Sequence, residues 1–286
     1  MLGIFLFSIA LIGSALASYF DLKTTEIPDE IPYAMMAVGV IAHLIQAFLT
    51  ADPWPFISSL IVGLGFLGFG FLMYYAGQWG GGDAKILSGI GFLLPTLPNE
   101  FKVKLFFPFP IVYFFNLFLV GAVYMIFYAF VVSFIEKKVW KYFLRDLKAN
   151  AKFMSLFLIA FLGFLIPLSI LMAQNFVFFS TKDFVYIAIL TSFVCFGLFL
   201  LWRFVKTVEN VAFKKRIPIS KLKVGDVPIN YRIWEGITEE ELKKIRKSGK
   251  KYIWIKEGVR FAPSFTIALL FTLFFGDALA ILLKLI

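Results

Sequence analysis

Asp21 directly follows the apolar run Leu2–Phe20, and about sixty residues later Gly80-Gly81-Gly82-Asp83 opens another apolar run. Two carboxylates brought together can hydrolyse an amide. One, ionised, takes a proton from water while the other, protonated, polarises the carbonyl. At close range both cannot ionise freely, so they titrate as a coupled pair. The glycines ahead of Asp83 let the backbone turn tightly and approach an extended peptide. Other chemistries lack the residues they need. His43 is the one histidine and Cys195 the one cysteine, too few for a Cys/His zinc site, a disulfide framework or an HExxH helix. No GxSxG stretch supplies a serine nucleophile. Neither a metal nor a cofactor is expected, and the 18 Asp and Glu residues are what remains for catalysis.

The elements that must position these acids lie in a membrane. Of 286 residues, 60% are hydrophobic and 16% charged, and the mean hydropathy is +0.87, whereas soluble domains are about 45–50% apolar. A net charge of +10 is read as positive loops of a membrane protein, not as a nucleic-acid surface. A bilayer core asks for about 20 apolar residues per helix. The runs Leu2–Phe20, Ile31–Leu49, Phe56–Ala76, Ile111–Ile135, Phe153–Met172, Phe184–Trp202 and Ser264–Leu283 meet or approach that length. Ala84–Pro95 is shorter and is counted as a crossing supported by neighbouring helices. That count places the basic stretches 136–152 and 204–261 on the cytoplasmic side. Of the 28 Lys and Arg residues, only Lys102, Lys104, Lys182 and Lys284 then fall outside. The expectation is a plasma-membrane protein with about eight transmembrane helices and both termini outside. Asp21 and Asp83 then lie at the cytoplasmic boundary. The first run is read as a span and not as a cleaved signal peptide, because no basic n-region precedes it.

The expected fold is an all-α polytopic bundle with a small cytoplasmic α+β domain. Its parts are a catalytic bundle of seven spans over 1–203, a basic domain over 204–261 and a last helix over 262–286. Within the middle part, Arg216–Val224, Asp226–Arg232 and Lys251–Lys256 read as short strands. Thr238 with Glu241 makes a capping box for a helix ending near Gly249. The basic excess of this domain suits anionic membrane lipid.

The stretch Asp21-Leu22-Lys23-Thr24-Thr25-Glu26-Ile27-Pro28, followed by Gly80-Gly81-Gly82-Asp83-Ala84-Lys85, resembles the paired signatures of the GxGD intramembrane aspartyl proteases. The branch it is similar to is the archaeal preflagellin and type IV prepilin peptidases. Lys256–Phe265 and Gly276-Asp277 are similar to the C-terminal portion of archaeal members. The resemblance implies an aspartic endopeptidase that removes a short leader from a membrane-anchored preflagellin or prepilin-like precursor. It makes Asp21 and Asp83 the catalytic pair, places Gly80 and Gly82 in the motif, and matches Lys85 to a position of no assigned role. The Tyr19-Phe20-Asp21 context departs from the Tyr-Asp of the presenilin-like branch.

A transporter using intramembrane carboxylates for ions or protons is the alternative. It would place its acids at the midplane on discontinuous helices. Asp277 is the acid within a span and is read as a structural hydrogen-bonding group, as are His43, Gln46 and Asn116. Glu26, Asp29 and Glu30 are expected to favour the N-terminus of the second span. Helix ends also suggest that the shared proton favours Asp21, at a C-terminus, over Asp83, at an N-terminus.

Overall fold

The structure is a computed structural model that describes residues 1–173, 180–231 and 236–285. It begins with three long apolar helices, α1 (Leu2–Thr24), α2 (Glu30–Thr50) and α3 (Trp54–Tyr75), then a short one, α4 (Gly81–Leu93). Next come α5 (Phe109–Ile135), α6 (Lys138–Ala149), α7 (Ala151–Ala173) and α8 (Thr181–Val208). Strands β1 (Lys214–Pro218) and β2 (Val227–Pro228), helix α9 (Glu239–Lys247) and strand β3 (Tyr252–Lys256) form the small α+β part. Two further helices, α10 (Pro263–Phe275) and α11 (Ala278–Leu285), complete the described chain. Among the described residues, α1, α2, α3, α5, α7 and α8 with its extension to Phe213 are long and apolar enough to cross a membrane. This is a multi-pass helical membrane protein. The other two expected spans, α4 and α10, are helices of 13 residues. Each is about 20 Å long at 1.5 Å per residue, short of a bilayer core.

Packing divides the chain into two compact units, Met1–Phe127 with Lys215–Ile286, and Tyr128–Lys214. In the first unit α4 is the centre. Ile86 to Leu94 are all buried, and α1, α2 and α3 pack around them. Such close approach needs glycine on the neighbours. A Cβ on Gly39 of α2 would stand 2.6 Å from the carbonyl of Phe92, and one on Gly70 of α3 would stand 2.6 Å from Ala84 Cα. Gly63 likewise meets the Phe92 ring, whereas Gly65 and Gly68 face nothing within 4 Å. The glycine-rich third span therefore uses only part of its glycines for contact.

α1 presents a face of small and polar residues, Ala10, Gly13, Ser14, Ala17, Ser18 and Asp21, all buried. Ser18 Oγ lies 3.0 Å from Thr266 Oγ1, which sets α1 against α10. Across from them, Tyr113 of α5 donates its hydroxyl to the Phe265 carbonyl at 3.2 Å.

The single last span expected over Ser264–Leu283 is corrected to two helices. Gly276 takes φ 70°, a left-handed conformation that stops α10. Asp277 then accepts the Ala280 N–H at 3.0 Å, as an N-cap would, and the Phe107 N–H at 3.2 Å. Asn116 of α5 donates to the Gly276 carbonyl at 2.8 Å and to Thr272 Oγ1 at 2.9 Å, so the break is held from the side.

The small sheet has the order β1-β3-β2, with β2 antiparallel to β3 and Val227 opposite Lys256. Leu222, Ile237 and Ile255 form its core. The capping box of α9 forms as expected: Glu241 Oε2 accepts the Thr238 N–H at 2.9 Å and Thr238 Oγ1 accepts the Glu241 N–H at 3.3 Å. Two strand boundaries are corrected. β1 ends at Pro218, where a 3-10 turn over Ile219–Lys221 begins. β2 is two residues long, because the Pro228 carbonyl accepts the Tyr231 N–H and the chain turns; Arg232 lies outside the described residues.

In the second unit, the stretch read as a basic loop contains the amphipathic helix α6. Val139 is buried, and Trp140 and Phe143 lie 5.5 Å and 5.4 Å from the Phe204 ring. Arg203 of α8 binds Asp146 through two nitrogens, at 2.8 Å and 2.6 Å. Lys137, Lys138, Lys141, Arg145 and Lys148 remain exposed.

The central position of α4 gives a sharp expectation. Gly39→Ala and Gly70→Ala should each lower stability by about 1–3 kcal/mol, because the added methyl meets backbone that cannot move aside. Gly65→Ala should stay within about 0.5 kcal/mol of the parent. Thermal unfolding of the three variants in one detergent checks this; equal midpoints would show that α4 is not so tightly enclosed.

Candidate active site

Asp21 occupies the last turn of α1. That helix stops because Thr25 turns left-handed, at φ 62°, and returns its N–H to the Asp21 carbonyl at 2.9 Å. Pro28 follows in the connection to α2. Asp83 stands three residues past Gly80, which is extended at φ −75° and ψ 157° and caps α4. Its Oδ2 accepts the Gly80 N–H at 3.0 Å. Glycine has no side chain to return the bond, so only the carboxylate half of a capping box forms.

Both carboxylates are nearly buried, at 6% exposure for Asp21 and 8% for Asp83. They line one cavity of about 790 Å³ and are close enough for the charge of one to act on the other. Gly80, Gly81 and Gly82 line it beside them, as do Glu26 and Ile27 of the α1–α2 connection. Asp21 Oδ2 accepts the Ala262 N–H at 2.9 Å, and Arg260 lies near enough to act on the same carboxylate. One oxygen of each acid is thus held by a backbone amide. The Oδ1 atoms have no hydrogen-bond partner among the described residues, which leaves them for a bound molecule or water.

Ala262 is the N-cap of α10, so Asp21 faces a helix N-terminus as well as ending α1. Both acids therefore have an N-terminal amide, so that contrast between them disappears, while the C-terminal end of α1 still disfavours charge on Asp21 alone.

The small α+β part supplies the facing wall, a contribution that its strand and helix patterns did not announce. Gly225, Asp226 and Val227 at β2, Ile255 and Lys256 of β3, and the segment Glu257–Phe261 line the same cavity. That segment is held by aromatic and hydroxyl contacts. Tyr124 donates to the Arg260 carbonyl at 2.8 Å, and Phe261 lies 5.7 Å from the Trp79 ring. Trp79 immediately precedes Gly80, so the glycine turn and the C-terminal segment share one aromatic cluster.

The remaining polar residues are placed as follows. Lys85 stands outside the cavity lining and pairs with Asp29. Asp29 is at the N-cap position of α2, the helix start expected for it, but makes no side-chain capping bond. His43 Nε2 lies 3.2 Å from the Leu93 carbonyl, and Gln46 is within its hydrogen-bond reach at 3.3 Å. Asp277 sits at a helix break, as a transporter acid would, but backbone N–H groups occupy both of its oxygens. Among the described residues no group of three His, Cys, Asp or Glu side chains could hold a metal ion.

Residues 6–130 match the type IV leader peptidase family, a stretch that contains both aspartate motifs. The resemblance read from those motifs therefore holds over this part of the chain. The chain is 27% identical over 139 residues to the prepilin peptidase EppA of Methanothermobacter thermautotrophicus, covering 46% of this chain and 36% of that protein. It is 35% identical over 89 residues to the preflagellin peptidase of Methanocaldococcus jannaschii, covering 31% and 38%. Against the preflagellin peptidase of Methanococcus maripaludis it is 30% identical over 134 residues, covering 44% and 56%. The chain thus spans between about a third and just over half of the length of these relatives.

The cavity wall can be tested by cross-linking. A Cβ on Gly225 would come within 3.4 Å of Glu26 Oε1, and Asp226 follows it. In a Cys195→Ser background, Glu26→Cys with Asp226→Cys should be joined efficiently by a short bis-maleimide. Asp52→Cys in place of Glu26→Cys should not, since α2 separates them by about 30 Å. Electrophoretic mobility reads the result, and failure of the first pair would remove the small domain from the cavity.

Proposed function

We propose that this chain is an aspartic endopeptidase of the membrane boundary, which removes the leader from preflagellin- or prepilin-like precursors. One observation carries the reading: two almost buried carboxylates line one cavity, each with one oxygen held by a backbone amide and the other without a hydrogen bond among the described residues. The relatives named above are peptidases of such precursors, and both acids fall within the family-matched stretch. The ion- or proton-coupled transporter is not favoured, because the acid at a helix break, Asp277, is fully engaged by backbone.

In this mechanism a single proton is shared between Asp21 and Asp83. The ionised carboxylate takes a proton from water as its oxygen attacks the scissile carbonyl carbon. The protonated partner gives its proton to the carbonyl oxygen, and a neutral tetrahedral intermediate forms. Collapse re-forms the carbonyl, breaks the C–N bond and passes a proton to the leaving amine. The pair ends with one proton, as it began. The cavity wall on the side of the small domain carries the polar residues Asp226, Lys256 and Glu257. The precursor's hydrophobic helix stays in the bilayer while its leader lies in the cavity. A cavity on the cytoplasmic side, with the N-terminus outside, belongs to this proposal, and the excess of Lys and Arg in 136–152 and 204–261 supports it.

Asp21→Asn and Asp83→Asn should each reduce cleavage by at least about 100-fold, because each removes one required proton role. Asparagine keeps the volume and an acceptor for the Ala262 or Gly80 N–H, so thermal midpoints should shift little. Incubation of reconstituted protein with a preflagellin or prepilin precursor, followed by sequencing of new N-termini, reads both. Near-normal turnover by either variant would sink the two-carboxylate mechanism.

A further inference from the structure

The face of α4 that meets α2 and the α1–α2 connection carries Gly82, Lys85 and Gly89, spaced i, i+3 and i+7 on one side of a helix. The glycines allow contact. A Cβ on Gly82 would stand 3.0 Å from Ile27 Cβ, and one on Gly89 would stand 3.0 Å from Met35 Cβ. Lys85 is the charged residue between them. Its Nζ lies 2.6 Å from Asp29 Oδ1 and 5.2 Å from the centre of the Tyr33 ring. The lysine side chain is 20% exposed, so this pair is shielded more than a surface ion pair on its side. Asp29, at the start of α2, spends its carboxylate on Lys85 instead of on its own helix.

The geometry points to Lys85 and Asp29 as positioning residues that set the separation of Asp21 and Asp83. The connection closes a circuit. From Asp21 the chain runs eight residues to Asp29, crosses the ion pair to Lys85, and returns two residues to Asp83. Ile27 on Gly82 is an apolar contact that tolerates sliding. The ion pair, backed by the Tyr33 ring, adds a charged attraction that draws the connection and α4 together, with Asp29 55% exposed and Lys85 20%. Both acids must reach the same water and the same carbonyl. A displacement of about 1 Å from remote changes can cost about 100-fold in rate.

This inference rests on the reading of Asp21 and Asp83 as the acting pair, and the test separates the two. Lys85→Met and Asp29→Asn remove opposite charges but open the same tie. Each should lower kcat by about 10- to 100-fold with KM for the precursor within about threefold, because neither residue lines the cavity. Lys85→Arg, which keeps the ion pair and the ring contact, should restore most of kcat. The second readout needs no substrate: the interval between the two carboxyl titration steps, followed by NMR with labelled aspartate. Interacting acids separate their steps. Both opening variants should narrow that interval, although their direct charge effects on the acids are opposite in sign. Unchanged kcat in Lys85→Met, or a lost kcat with an unchanged interval, would overturn the clamp. A parent protein that cleaves no precursor would sink the protease reading, while the titration interval would still decide on the clamp.

Discussion

A helix of 13 residues enclosed by three longer ones is the constraint on which the first unit depends. α4 carries Asp83 at its first turn and is buried from Ile86 onward. Lipid would leave the ends of so short a helix with unsatisfied backbone groups, each costing several kcal/mol. Here protein meets both ends. Asp83 accepts the Gly80 N–H at one. At the other, Ser59 of α3 donates to the Phe92 carbonyl at 2.6 Å, and His43 of α2 reaches the Leu93 carbonyl at 3.2 Å. Ser88 in turn donates to the Gly63 carbonyl at 2.9 Å. Ser59, His43 and Asp83 are thus used to finish a helix inside the bundle. The glycines at 39, 63 and 70 bring the surrounding backbones close enough for those short side chains to reach.

What could be read from the linear chain follows from this economy. Long apolar runs announce themselves by length, so α1, α2, α3, α5, α7 and α8 were legible, as was the α9 cap at Thr238. The two aspartates were legible as a pair because their flanks resemble a family and because few other residues could do hard chemistry. Features made by tertiary contact were not. Gly276 and Asp277 interrupt the last helix, but a lone glycine and acid in an apolar run carry no mark that Asn116 and Phe107 will hold them. Asp29 looks like a helix-start acid, since nothing local points to a lysine 56 positions on. The basic residues of 136–152 signalled a side of the membrane, whereas the helix α6 among them depends on Phe204 and Arg203 from α8. The small domain's place against the cavity was equally invisible, because strand patterns say what pairs within a sheet and not what the sheet covers.

The same contrast bears on how Asp21 is held. It lies inside the stretch that matches the family, yet its carboxylate depends on a segment well beyond residue 130. The Ala262 N–H binds its Oδ2, and Arg260 acts on it electrostatically. That segment is fixed from three directions: by Tyr124 at the Arg260 carbonyl, by Trp79 at Phe261, and by Ser18 at Thr266. Two of these anchors, Ser18 and Trp79, are near neighbours in sequence of the two acids. Ser18 precedes Asp21 by three residues on the same buried face of α1, and Trp79 abuts the glycine turn that leads to Asp83. One C-terminal segment therefore bridges the elements that carry the acids. A change at Phe261 or Thr266 would disturb the relation between the two motifs while leaving each motif's own residues intact. The site is an assembly of two short motifs and a third strip of chain that holds them together.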